Sequence, residues 1–160
     1  MKQLDVTYSR TLSDMAREIC IPYYHGMVDE GLLQYYVETF QSEEAIRDQI
    51  AQGHIYSFIT SEDEVIGYYS VYPKGDVLFL SKLYIKEGFR GLGFGSGSFD
   101  EIFEIGRSLK LRCVRLNVNK NNISSIRIYT AKGFTTVATD NSDIGGGFHV
   151  DDLIMEYNLK

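Results

Sequence analysis

No stretch of this 160-residue chain approaches the roughly 20 consecutive apolar residues that a bilayer-spanning helix needs. The opening residues, Met1-Lys2-Gln3-Leu4-Asp5, lack an apolar signal region, so a soluble, cytoplasmic protein with no membrane partner is expected. Cysteine is scarce. Cys20 and Cys113 each fall inside an expected helix or strand, which points to small reduced apolar residues rather than a disulfide, and without zinc-type spacing no metal is expected. Positive charge is in deficit as well. The 16 Lys and Arg against 22 Asp and Glu leave a net charge of −6, and the basic residues are scattered, which excludes a nucleic-acid backbone as the partner. The acidic balance is compatible with a cationic substrate and equally with a solvated surface. Repeats and low-complexity linkers are missing, and 44% hydrophobic residues in a chain of this length fill one sizeable core but not two, so a single domain over 1–160 is expected.

What the chain does have is glycine in one place. In Arg90-Gly91-Leu92-Gly93-Phe94-Gly95-Ser96-Gly97, glycine at every second position leaves a run of backbone amides with no Cβ to hold a ligand away. The apolar run Val77 to Ile85 precedes it, and Phe99, Ile102, Phe103, Gly106 and Leu109 follow at helical spacing, so the order is strand, loop, helix. The free N–H groups of the helix's first turn then favour an anion, phosphate above all. Spacing separates the phosphate motifs. A Walker A loop fails because no Lys follows these glycines before Lys110. A dinucleotide fingerprint fits poorly: its third glycine would fall on Ser96 or Ser98, and Leu116, Asn117 and Val118 stand where a ribose-binding acid belongs. The pattern Arg/Gln-x-x-Gly-x-Gly/Ala is filled by Arg90, Gly93 and Gly95 without a gap.

Around the loop, residues 2–8 alternate enough for a first strand. A helix capped by Thr11 or Ser13 runs to about Tyr24, a second spans 29–40, and Ser42 caps a third that Gly53 ends. Strands 55–60, 65–72 and the run before the loop form an antiparallel meander, with turns at Glu62-Asp63-Glu64 and Pro73-Lys74-Gly75-Asp76. After the loop's helix, Cys113 to Asn119 alternates as a strand, parallel to its predecessor by a right-handed crossover. A helix over 123–132, a strand over 134–139, a turn at Gly145-Gly146-Gly147 and a last strand, 148–157, complete the chain.

The loop, together with Asn122-Ile-Ser-Ser125-Ile-Arg-Ile-Tyr129-Thr-Ala-Lys-Gly133-Phe134, resembles the GNAT superfamily of N-acetyltransferases, with Ser125 where that family more often has Ala. The resemblance implies an α/β fold: one mixed sheet of about seven mostly antiparallel strands, one splayed parallel pair, and helices on both faces. It implies acetyl-CoA as co-substrate, its diphosphate on the amides of Gly91, Gly93, Phe94, Gly95 and Ser96 beside Arg90. The pantetheine arm would pair with the backbone of Leu83, Tyr84 and Ile85, near Asn122 and Tyr129. Acetyl would pass to a primary amine of a small molecule or peptide by direct attack in a ternary complex. A non-catalytic acyl-CoA sensor is the alternative reading. The family often dimerises, so a homodimer is allowed.

Tyr129 is expected to be the general acid, since a phenol is protonated at neutral pH and can hand its proton to a thiolate if the site assists; its position also suits a core tyrosine. Asn122 is expected to cap its helix, to touch CoA, or both. The strand before the loop lacks the Glu that several family members use as base. Asp152 is the candidate base or amine contact, with Asp151, His149 and His25 as other options. Tyr23, Tyr24, Tyr35 and Tyr36 could rim an acceptor pocket or belong to the core.

Overall fold

The computed structural model describes residues 3–160. Three helices precede the sheet: α1 (Ser9–Tyr24), α2 (Glu30–Phe40) and α3 (Glu43–Ala51). Local chemistry sets the starts of α2 and α3. The Asp29 side chain accepts from the Leu32 N–H and Ser42 from the Ala45 N–H, each satisfying a donor that the first helical turn leaves open. The strands and remaining helices follow as β1 (Ile55–Ser61), β2 (Glu64–Lys74), β3 (Val77–Ile85), α4 (Phe94–Ser108), β4 (Cys113–Asn119), α5 (Ile123–Lys132), β5 (Thr135–Asp140), β6 (Asp143–Gly145), β7 (Phe148–His149) and β8 (Asp152–Asn158). Six strands form one mixed sheet in the order β1-β2-β3-β4-β8-β5, and β6 and β7 make a separate ribbon.

Three expectations need correcting. Neither Thr11 nor Ser13 caps the first helix: α1 already begins at Ser9, after Tyr8, and no side chain caps it. Among the described residues no first strand forms: Val6–Tyr8 is a turn of 3-10 helix, and Lys2 lies outside the described residues. Asp5 caps that turn through the Thr7 N–H, and the segment meets the sheet through the Leu4 N–H, which donates to the Tyr56 carbonyl, and through Tyr8, whose ring lies edge-on to Phe58 at 5.6 Å. The last strand is also broken. Phe148–His149 pairs back onto β6 across the three glycines, all at positive φ, and only from Asp152 does the chain join the sheet.

Two cores flank the sheet. On one face, Phe99, Ile102 and Phe103 of α4 pack on Leu78, Leu80, Val114, Leu116 and Met155. On the other, Leu12, Ile19, Leu33, Val37 and Ile46 from α1, α2 and α3 pack on Tyr56, Tyr68 and Tyr84.

The single parallel pair is short. Val77 to Leu80 pair with Cys113 to Leu116, and there the ladder stops, although β3 continues to Ile85 and β4 to Asn119. At the same point β3 carries an extra residue: Ser70 faces Lys82 while Val71 faces Leu80, leaving Ser81 as a bulge. Side chains alternate along a strand, so one extra residue reverses the phase. Leu78 and Leu80 point to the α4 face, and Lys82 and Tyr84 beyond the bulge enter the layer beneath α1, α2 and α3.

Lys82 is therefore buried, 3% exposed, with its ammonium donating to the Phe40 carbonyl (3.0 Å), Gln49 Oε1 (2.8 Å) and the Tyr56 hydroxyl (2.5 Å). Burial, against a small opposing pull from Cys20, lowers its pKa from 10.5 to about 7. An unfolded lysine keeps its proton where the folded one releases it, so stability should rise with pH from about 7, by at most about 1.4 kcal/mol per unit. The rise should fade near pH 9, because burial pushes the Cys20 thiol up to about 12 and the unfolded thiol then ionises first. Urea titrations at about pH 7, 8 and 9 should show this slope in the parent and lose it in Lys82→Met.

Candidate active site

Along the end of β3 that β4 no longer pairs, a cavity of about 490 Å³ opens. Its walls come from five places: the end of α1, the end of β3, the glycine loop, the start of α4 and the middle of α5. Of the residues expected from the sequence, Leu83, Tyr84, Ile85, Arg90, Gly91, Gly93, Phe94, Gly95, Ser96 and Tyr129 all line it. Asn122 and Asp152 do not.

The loop enters α4 through glycines in the left-handed region, Gly91 at φ 74° and Gly93 at φ 91°, with no side chain capping the helix. The first-turn amides of Phe94, Gly95 and Ser96 thus have no capping side chain, and all three residues line the cavity, the arrangement that suits an anion at a helix N-terminus. A Cβ on Gly95 would stand 3.3 Å from the Ile85 side chain, so glycine also sets how closely the helix approaches the strand.

Arg90 does two things. Its Nε donates to the Ile85 carbonyl at 2.9 Å, tying the loop to the end of β3, and its guanidinium lies 4.6 Å from the centre of the Tyr23 ring. A second cation, missed in the sequence, reaches the same corner. Lys132, at the end of α5, has its ammonium 3.4 Å from Ser96 Oγ and 3.5 Å from Asp100. Only the packing of α5 against α4 makes it a neighbour of the loop.

Tyr129 lies on the cavity wall with its ring edge-on to Phe99, 5.8 Å between centres. Burial chiefly, with a smaller push from Tyr23 and an opposing hydrogen bond from Ser125, raises its phenol to about 12. Asn122 is buried and caps α5, accepting from the Ser125 N–H at 3.4 Å and from the Tyr23 hydroxyl at 2.7 Å. It stands behind Tyr23 and is not itself on the wall. Ser124, Ser125 and Ile128 complete the α5 side.

Of the four N-terminal tyrosines, Tyr23 and Tyr24 line the cavity. Tyr36 lies one step further in, its hydroxyl 3.4 Å from that of Tyr84. Tyr35 holds the β6–β7 ribbon instead, donating to the Ile144 carbonyl at 2.8 Å and packing on Phe148.

Asp152 opens β8 opposite Asn119 and Asp140. By strand alternation it shares a sheet face with Arg115 and Asn117, the face away from Val114, Leu116 and Val118 and their packing on α4. Burial first, then the nearby Asp140 and Asp151 charges, raise its carboxyl to about 6 against a lowering hydrogen bond from Asn117. The other candidates are less enclosed: His25 is exposed and bonded to Glu30, His149 is exposed on the ribbon, and Asp151 pairs with Lys120. Cys20 and Cys113 are free and buried, and no group of three metal-binding side chains occurs among the described residues.

A family model described as the acetyltransferase (GNAT) family matches residues 17–134, from α1 through the loop and Tyr129 to the edge of β5. The chain belongs to the GNAT acetyltransferase family. Solved structures repeat the fold. This GNAT chain superposes on PaiA N-acetyltransferase from Thermoplasma acidophilum in complex with coenzyme A at a TM-score of 0.81, with 20% identity over 98% of this chain and 96% of that one. Against the ribosomal-protein-S18-alanine N-acetyltransferase of Escherichia coli the TM-score is 0.74, with 13% identity over 99% and 92%. A Bacillus subtilis acetyltransferase in complex with CoA gives 0.62, with 18% identity over 72% and 83%. No curated protein matches the chain in sequence. No helix among the described residues is long and apolar enough to cross a membrane.

The left-handed entry to α4 is testable by stability alone. Gly93→Ala should cost about 1–2 kcal/mol in urea unfolding, the ordinary cost of a Cβ in that region. Gly97, inside the helix with open space where a Cβ would go, should gain up to about 1 kcal/mol as Gly97→Ala. Equal effects at the two positions would contradict the loop described here.

Proposed function

We propose that this GNAT protein transfers the acetyl group of acetyl-CoA to a primary amine of a small molecule or peptide, by direct attack while both substrates are bound. One observation carries the reading: the open amides of the glycine loop, the unpaired edge of β3 and the Tyr129 phenol all border the same cavity. Gly91, Gly93, Phe94, Gly95 and Ser96 hold the diphosphate through their N–H groups, with Arg90 and Lys132 supplying fixed positive charge beside them. On the side of β3 that β4 leaves open beyond Leu80, main-chain groups of the Leu83, Tyr84 and Ile85 segment not already bonded to β2 or, at the Ile85 carbonyl, to Arg90 take the amides of the pantetheine arm and polarise the thioester carbonyl.

Tyr129 protonates the departing sulfur. With the phenol at about 12 and a thiol near 8.5, a free phenolate left behind would lie roughly 5 kcal/mol uphill. The proton must therefore be replaced as it leaves, and the attacking amine, which sheds one as its nitrogen bonds to carbon, is the source. Asp152 stands off the cavity wall, near enough to Tyr36 for its charge to act there, and is the base that draws off a proton, through a water, when the incoming amine arrives as an ammonium. A carboxylate with a pKa of about 6 is mostly ionised at neutral pH and still a better acceptor than an ordinary aspartate. Neither cysteine serves as an acyl carrier, since burial holds Cys20 as a thiol and raises Cys113 too.

Tyr129→Phe is expected to lower kcat by about 10²–10⁴-fold while CoA affinity, read by calorimetry, stays within about twofold. Unchanged turnover would remove Tyr129 from the chemistry; a parent that binds CoA but acetylates no amine would favour the sensor reading. For Asp152 the measurement is a pH profile. The kcat/KM of the parent should rise with pH through about 6 as the carboxyl loses its proton, and that limb should vanish in Asp152→Asn.

A further inference from the structure

Tyr23 stands at the end of α1, and its hydroxyl crosses to the start of α5. It donates to Asn122 Oδ1 at 2.7 Å and lies 3.2 Å from Ser124 Oγ and 3.3 Å from Ser125 Oγ, partners about a hundred residues away in sequence. Tyr23 on one wall and Ser124 and Ser125 on the other both line the cavity, so this bridge closes the gap between the two walls. The ring is also held by Arg90, whose guanidinium lies 4.6 Å from its centre and is itself fixed to the Ile85 carbonyl. Tyr24, the next residue, packs edge-on against it, 4.9 Å between centres.

The bridge stands between the two ends of the site. Arg90 belongs to the phosphate cradle, while Ser125 lies one helical turn before Tyr129 on α5. A ligand that reaches from the cradle to Tyr129 along β3 runs through the cavity that Tyr23 lines, past its bridge to α5. We infer that Tyr23 is a strap over the acyl-CoA arm, a positioning residue whose opening and closing set how fast CoA enters and leaves. The inference rests on the reading that this cavity holds the acyl-CoA arm. A strap that closes over an arm has to part for entry and for exit alike, and its hydroxyl is engaged with Asn122, Ser124 and Ser125 rather than with the arm. It therefore acts on both rates and barely on their ratio.

The test is surface-immobilised protein with CoA itself as the probe, reading association and dissociation rates. Tyr23→Phe keeps the ring and its stacking on Arg90 and removes only the bridge. Both rates should rise about fivefold, the factor that one hydrogen bond of ordinary net strength carries, with Kd within about twofold of the parent. The double variant Ser124→Ala with Ser125→Ala, which leaves the Asn122 bond in place, should move both rates in the same direction by less. Unchanged rates in Tyr23→Phe, or a change confined to one of them so that Kd shifts by its full size, would overturn the strap. Failure of the parent to bind CoA would instead bring down the cavity reading and the strap with it, and is told apart because it shows before any substitution is made.

Discussion

Ser81 has no counterpart in β2, and the site follows from that one extra residue. A bulge bends its strand and adds local twist, and here β3 leaves the parallel ladder with β4 directly before it, at Leu80. Past the bulge β3 stays paired with β2 on one side only, as far as Gly67 opposite Ile85. Gly67 is required there, because a Cβ at that position would lie 2.1 Å from the Tyr84 carbonyl oxygen. On its other side the strand offers main-chain groups with no strand to meet them, and such groups must find a partner in water or in a ligand. The same extra residue reverses which side chains face which layer, so Leu83 and Ile85 pack on the α4 side while Tyr84 joins the tyrosines beneath α1 and α2.

That reversal places polar groups in the interior, and the surrounding layer is built to satisfy them. Gln41, fully buried, donates to the Tyr84 hydroxyl at 3.1 Å and accepts from Tyr68 at 3.3 Å; Ser13 holds the Gln41 carbonyl at 2.7 Å. Lys82 is met by three neutral acceptors and by no carboxylate. A buried cation in that company is weakly held, so the lysine sheds its proton near neutrality rather than forcing a charge into the core. The network fixes Tyr84, and through it Tyr36, at the inner end of the cavity, so this end is stiff even though it is polar.

How much of this the sequence disclosed depends on how far apart the cooperating residues lie. The glycine loop was legible because its geometry is local: alternate glycines before a helical run admit few other uses, and the left-handed Gly91 and Gly93 follow directly. Caps at Ser42 and Asn122 were legible for the same reason. The expected strand at 2–8 failed because alternation says nothing of Asp5 bonding its own neighbour Thr7. The break before β8 was missed because the apolar pattern runs on from Phe148 while the backbone of the glycine turn pairs β7 with β6. Contacts across layers left no local trace at all. Lys82 reads in sequence as a strand's polar face, and its burial is set by a bulge; Lys132 and Tyr23 reach their partners only through the packing of α5 against α4 and α1.

Burial acts in one direction on the two groups that the proposed chemistry needs to act in opposite ways. Removing water disfavours the charged form of any acid, so it raises a phenol and a carboxyl alike. For Tyr129, starting at 10, the result is a group that holds its proton firmly at every pH the protein meets and can serve as a donor or a relay. For Asp152, starting at 3.8, the result is a carboxylate brought toward neutrality, still ionised but more willing to accept. No opposite charge has to be placed beside either one. Desolvation chiefly, delivered by the aromatic wall around Tyr129 and by the enclosed start of β8 and helped at Asp152 by the like charges of Asp140 and Asp151, separates donor from acceptor because the two side chains begin on opposite sides of neutral pH.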